Sequence, residues 1–316
     1  MTKSPGKGNI IMLLFTAYFL TVNLLVLPFV SSVFQIKTNS LTSTAFILIV
    51  GVFLPFVFYV LFTRQKLTNI LLLTPPKMKH IVFAITLGMV LVPITVTITM
   101  LGEHLNRLVF LQAEGESGYV SFGATASSFW ALIVVSALFP AFLEEFWFRG
   151  VLFDQYYGHK NGISVGKTAF ITALFFCLVH DSFSKMLHAL LLGLVLAYVL
   201  YYTRSIWIPI LVHFVHNALS FSMAFLSPPE PAGDSSQTPN GEMTAILFFT
   251  CVCLVMIPVI IICLKKFKKY RISAEQTAEG DSGSKNIGKQ RVFTWAFWVV
   301  VIVLVLFRVL RQFNVL

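Results

Sequence analysis

Long apolar runs separated by short polar stretches dominate the chain. They fall at about 10–34, 42–63, 81–101, 127–154, 168–180, 186–203, 206–226, 243–264 and 292–312. Most are about 20 residues long, enough for a helix to cross a bilayer core. Apolar and polar positions do not alternate within them, as they would in the strands of a membrane β-barrel. The pattern predicts an all-α fold, a polytopic transmembrane helical bundle of about nine spans. The first run follows Lys3 and Lys7, as the core of a secretory signal would. It is too long for such a core and no small-x-small cleavage pattern follows it, so it is expected to stay as an anchor.

Composition agrees. Of 316 residues, 57% are hydrophobic and only 11% charged, against about 25% charged in soluble domains; the mean hydropathy is +0.84. With the N-terminus in the cytoplasm, the inside loops hold Lys3, Lys7, Arg64, Lys66, Lys77, Lys79, Lys160, Lys167, Arg204 and the cluster from Lys265 to Arg291. The outside segments hold only Lys37, Arg107, Lys185, Arg308 and Arg311, and they gather acids instead: Glu103, Glu114, Glu116, Glu230, Asp234 and Glu242. The positive-inside rule therefore predicts a cytoplasmic N-terminus. Loop anchoring accounts for the formal charge of +10, and no nucleic-acid partner is expected. Cys177, Cys251, Cys253 and Cys263 all lie in apolar runs. Their spacing suits neither a disulfide framework nor a zinc site, and they read as small buried hydrophobes.

The chain divides into N-terminal transmembrane helices (1–124), a central transmembrane core (125–226) and C-terminal helices (227–316). Within the last part, 265–291 is polar and lacks apolar periodicity, which predicts a flexible cytoplasmic loop. Its basic start suits anionic lipid headgroups, although topological anchoring explains the same lysines. No internal repeat of the kind found in many transporters is visible.

Against this apolar background stands "FLEEFWFRG", Phe142–Gly150. Three charges inside one span ask for about 8–10 kcal/mol before compensation, and charges in such places usually face the protein interior and serve function. Glu145 and Arg149 are i and i+4 with the carboxylate first, the favourable order for an ion pair. Glu144 points about 100° away from Glu145. The spacing thus predicts one structural carboxylate, neutralised by Arg149, and one working carboxylate.

Other polar side chains reach a similar depth. His180 lies about 13 residues, or roughly 20 Å, beyond Lys167, near the middle of a core about 30 Å thick. His213 lies roughly 10 Å into its helix, with Asn217 one turn deeper. Pro140 removes a backbone bond to Ser136 and should bend the helix just before the acid pair. Each residue also has a duller role open to it. The glutamate pair would serve an ion relay; His180 would cap its helix beside Asp181; His213 and Asn217 would be interhelical glue. His188 and His216 read as structural.

Together, E-E-x-x-x-R (Glu144 to Arg149), F-x-x-x-H (Phe176 to His180) and H-x-x-x-N (His213 to Asn217), each on its own helix, resemble the CPBP family of intramembrane proteases. That family includes CAAX prenyl endopeptidases and bacterial bacteriocin-processing and self-immunity proteins. The resemblance covers about 125–225; the helices on either side carry no family motif and read as variable additions. It implies an intramembrane endopeptidase in which Glu144 and His180 activate water, His213 and Asn217 form the oxyanion hole, and Glu145 and Arg149 hold the site in shape. A partly desolvated carboxylate is a stronger base, and donors aimed at an oxyanion in a low-dielectric cavity are worth several kcal/mol.

The family has also been read as metallopeptidases, and glutamate and histidine are valid zinc ligands. No H-E-x-x-H occurs here, and His213 with His216 would need a third ligand from elsewhere. The expectation is glutamate chemistry without metal or other cofactor, with zinc as the alternative. A non-catalytic scaffold or immunity protein of the same fold would have shown a lost motif residue, and none is lost. A transporter would have shown polar or broken helices in other spans. The expected partners are the lipid bilayer and a membrane-associated peptide or protein. Prenylated CAAX proteins and bacteriocin-like leader or signalling peptides are the substrate classes implied, and the cell membrane is the expected location.

Overall fold

The computed structural model describes residues 3–35, 40–110, 125–157, 162–180, 182–226, 239–278 and 292–312. Among them the regular elements are all helical: α1 (Pro5–Phe34), α2 (Leu41–Thr63), the single turn α3 (Leu67–Ile70), α4 (Met78–Phe110), α5 (Ala126–Tyr156), α6 (Val165–Leu178), α7 (Phe183–Thr203), α8 (Trp207–Leu226), α9 (Pro239–Ala278) and α10 (Trp295–Gln312). The chain is thus a polytopic helical bundle. Seven helices among the described residues are long and apolar enough to cross a membrane: α1, α2, α4, α5, α7, α8 and the Thr250–Lys269 stretch of α9. The remaining two expected spans are α6 and α10. With 14 residues, α6 is about 21 Å long, short of the ~30 Å hydrocarbon core.

Local chemistry sets many of the helix ends. Ser4, Thr125 and Ser182 accept hydrogen bonds from the backbone N–H three residues on, and Ser40 with Ser43 forms a reciprocal capping box. Such caps satisfy donors that the first turn leaves unpaired. Arg64 and Arg204 close α2 and α7 in the left-handed conformation, and a cationic residue is favoured at the negative end of the helix dipole.

Proline leaves a consistent mark. Wide π turns stand at Val22–Val26, Ile47–Phe53 and Ile133–Leu138, each ending two residues before Pro28, Pro55 or Pro140. Proline has no N–H to give the carbonyl four residues back, and its ring crowds that carbonyl. A widened turn relieves the clash, so the disturbance expected at Pro140 begins as far back as Ile133. A fourth π turn, Phe146–Leu152, follows Glu145 directly and has no proline after it. Insertions of this kind are frequent at functional sites.

Around α5 the other helices form two packed layers. On one side α1, α2, α6 and α10 share a core containing Phe15, Trp147, Phe148, Phe176 and Phe297. On the other, α4 packs against α7, α8 and α9. The first and last helices are integral to the bundle. Phe15 of α1 stacks on Trp147 of α5 at 4.5 Å, and the Tyr156 hydroxyl donates to Asn9 Oδ1. Fully buried Asn9 donates in turn to Val292 O at 2.7 Å and Thr294 Oγ1 at 2.8 Å, at the foot of α10.

One expectation is corrected. The polar stretch from residue 265 is helical as far as Ala278. Cys263 and Phe267, one turn apart, are both buried, and Phe267 meets His80 and Phe83 of α4 edge-on. This stripe carries the helix past its apolar run. Residues 279–291 lie outside the described residues.

Candidate active site

The π turn after Glu145 still leaves Arg149 one turn above it. Arg149 Nη1 donates to Glu145 Oε1 at 2.9 Å, and neither side chain is exposed. The guanidinium also donates from Nη2 to the Gly193 carbonyl of α7 at 2.9 Å and lies 4.6 Å from the Phe176 ring centroid. A buried ion pair is tolerated only where further hydrogen bonds satisfy it. Here a helix carbonyl and an aromatic face supply part of that.

Glu145 holds a second partner that spacing on one helix does not reveal. His213 Nδ1 lies 3.0 Å from Glu145 Oε1. A carboxylate only accepts, so Nδ1 carries the proton. The opposite nitrogen, Nε2, faces Glu144 Oε2 at 4.0 Å. Glu144 is the more open of the two acids, its side chain 19% exposed. The two adjacent carboxylates therefore differ as the helical geometry requires: one is sealed in a network, the other stands at its rim.

His180 sits in the turn just after α6, with its N–H bonded to Cys177 O. Its Nδ1–H donates to Phe176 O at 2.8 Å, which puts the lone pair on Nε2. Among the described residues, Phe176 connects His180 to the cluster. That fully buried ring meets His180 edge-on at 4.8 Å and His213 edge-on at 6.0 Å, with Arg149 beside it. Asn217 lies one turn beyond His213 on α8, and its Oδ1 is bonded to His216 Nδ1 at 3.0 Å.

The structure thus joins Glu144, Glu145, Arg149 and His213 directly, brings in His180 through Phe176, and places Asn217 on the face of His213. Phe176 appears in the sequence only as a motif position. The Gly193 carbonyl was not foreseen at all, although a glycine inside an apolar span is a visible signal of close helix approach. A Cβ on Gly193 would lie 3.0 Å from Ala173 Cα and 3.2 Å from Phe176 Cδ1. Gly193→Ala is therefore expected to force α6 and α7 apart at about 1–3 kcal/mol and to shift Phe176. Thermal melting in detergent and turnover should both fall; unchanged melting would contradict the packing argument.

Among the described residues no group of three His, Cys, Asp or Glu side chains could hold a metal ion. His216, three residues after His213, does not face the acids. Both nitrogens of His216 are engaged elsewhere, by Thr95 and Asn217. Asp181 lies outside the described residues.

The type II CAAX prenyl endopeptidase Rce1-like family matches residues 126–219, the segment holding all three motifs. YdiL of Bacillus subtilis (strain 168), named as a candidate membrane peptidase, is 27% identical over 116 residues, covering 37% of this chain and 45% of that protein. The match thus spans less than half the length of this relative. No solved structure matches the chain significantly. These matches bear out the resemblance carried by the three motifs: the central segment of this membrane protein is similar to the CAAX prenyl endopeptidase-like proteins of the CPBP family.

Proposed function

We propose that the chain is an intramembrane endopeptidase of the glutamate type, cleaving a peptide bond in a membrane-associated peptide or protein. The observation that carries this reading is the division of labour between the adjacent acids. Glu145 is buried and bonded to Arg149 and His213, whereas Glu144 is left at the rim beside His213 Nε2. The peptidase names of the matched family and relative support the class of reaction.

In this mechanism Glu144 takes a proton from water while His180 Nε2 accepts from the same water and orients it. The oxygen attacks the scissile carbonyl. The amide N–H of Asn217 and the Nε2–H of His213 receive the developing oxyanion. With Nδ1 committed to Glu145, Nε2 donates only when the ring carries both protons, so the hole operates with His213 as imidazolium. Glu144 then passes its proton to the leaving amine as the C–N bond breaks, which restores the carboxylate. The bundle surrounds the site with apolar side chains, where such dipoles act with little competition from water.

Prenylated C-terminal peptides and leader or signalling peptides are the candidate substrates, and a cytoplasmic N-terminus is the candidate orientation. Comparative peptidomics of membranes carrying wild-type protein or Glu144→Ala tests the reading. Peptides that depend on Glu144 identify the substrate, and identical peptidomes would refute proteolysis.

The metal-free form of the mechanism makes its own prediction. A carboxylate base and a two-donor hole already supply both halves of the attack, and a Lewis acid would duplicate them. Exhaustive chelation is expected to leave turnover of the purified protein intact, with no stoichiometric zinc by elemental analysis. Turnover lost to a chelator and restored by zinc would recast Glu144 and the histidines as ligands.

A further inference from the structure

We propose that His216 and Thr95 are positioning residues that lock the Asn217 amide with its N–H groups toward the reacting carbonyl. The inference rests on the oxyanion role proposed above for Asn217, and it brings in a helix outside the segment that matches the family. Neither Thr95 nor His216 belongs to the three motifs. Both are buried, Thr95 at 4% exposure on α4 and His216 at 4% on α8. Thr95 Oγ1 lies 2.8 Å from His216 Nε2, and His216 Nδ1 lies 3.0 Å from Asn217 Oδ1.

The proton directions follow from what each atom can do. Asn217 Oδ1 only accepts, so Nδ1 of His216 carries the proton and Nε2 carries the lone pair. Nε2 then accepts from the Thr95 hydroxyl. Leu91 O and Val92 O lie within reach of the same hydroxyl, but with its one proton on either of them Oγ1 would meet the Nε2 lone pair at 2.8 Å with no hydrogen between them. The chain of donors therefore runs Thr95 to His216 to the Asn217 carbonyl oxygen. It ends with the amide nitrogen of Asn217 unpaired among the described residues and available to an oxyanion.

Orientation matters because an asparagine amide has two faces of opposite polarity. Rotated by a half turn, it would present Oδ1 to the oxyanion and repel the charge it should stabilise. Nothing within Asn217 itself prevents that rotation; a histidine held in one tautomer does. Burial makes the lock effective, since no water competes for Nδ1 or Nε2 and a mispaired nitrogen is costly there. The helices are also held close enough to maintain it. Gly88 of α4 leaves no room for a Cβ, which would lie 2.9 Å from Val212 O and 2.8 Å from Val215 Cβ of α8.

The test is a double-mutant cycle on full-length protein in detergent. It measures kcat and KM on the best-cleaved member of a mixed-sequence quenched fluorogenic peptide library, with melting recorded for each variant. Thr95→Val removes the hydroxyl at constant shape and is expected to lower kcat about 10-fold, part of the 10²–10³ that a whole oxyanion donor supplies. KM should be unchanged. Thr95→Ser, which keeps the hydroxyl, should recover most of the loss, and Thr95→Ala replaces the valine variant if that one does not fold. His216→Phe should lower kcat at least as much as Thr95→Val. In an Asn217→Ala background Thr95→Val should cost nothing further, because its effect runs through Asn217.

Wild-type kcat in Thr95→Val or His216→Phe would overturn the proposal. So would an unchanged fold-loss from Thr95→Val in the Asn217→Ala background, since the two sites would then act independently. Wild-type kcat in Asn217→Ala would instead refute the oxyanion role itself, and the inference with it.

Discussion

Purified Glu144→Gln is expected to be inactive while folding and melting as the parent does. Glutamine keeps the shape and can still accept a hydrogen bond, but it cannot take a proton from water. Losing a general base alone lowers rates by about 10²–10⁴-fold, and in the proposed mechanism the same group also returns the proton to the leaving amine. Stability should be spared because Glu144 stands at the rim of the network: its nearest charged partner is His213 Nε2 at 4.0 Å, and its side chain is 19% exposed. Full turnover by the variant would remove Glu144 from the mechanism. A large drop in melting temperature would mean instead that the network depends on both acids.

Arg149→Ala should behave in the opposite way. Breaking a buried ion pair by deleting one partner typically costs about 3–5 kcal/mol, because the remaining charge stays desolvated. Glu145 would keep only His213, and the Gly193 carbonyl and the Phe176 face would lose the guanidinium they now hold. Both melting temperature and activity are expected to fall, in contrast to Glu144→Gln. Adding Glu145→Gln to Arg149→Ala removes the stranded charge and should return part of the stability. Equal melting of Arg149→Ala and Glu144→Gln would defeat the ion-pair account.

Much of this site is legible in the sequence alone. A helical period is a local property, so i,i+4 spacing alone predicted that Glu145 would pair with Arg149 and that Glu144 would point elsewhere. The depth argument placed His213 level with the acids because rise per residue and bilayer thickness are both known. The loop from residue 265 was misjudged for a physical reason. Periodicity in polarity shows where a chain is buried in lipid or core, and a helix held by one buried stripe, Cys263 to Phe267, continues where overall polarity suggests a loop. The outer helices carry no motif, yet Asn9, Tyr156 and Thr294 tie α1 and α10 to the end of α5. Such ties involve residues as far apart as 285 positions, and no window along the chain could contain them.

By itself, the sequence determined the all-helical membrane class, the three motif-bearing helices and the split between a glutamate paired with Arg149 and one that points away from it. Each follows from composition or from distances within one helix. Only the tertiary structure decided which nitrogen of His213 meets which carboxylate, that Phe176 links His180 to the cluster, and that His216 turns away from the acids toward Asn217 and Thr95. Those outcomes depend on how helices rotate and slide against one another. A rotation of one residue, about 100°, would exchange every partner without altering the pattern of any single helix, and close packing at Gly88 and Gly193 selects the arrangement that is realised.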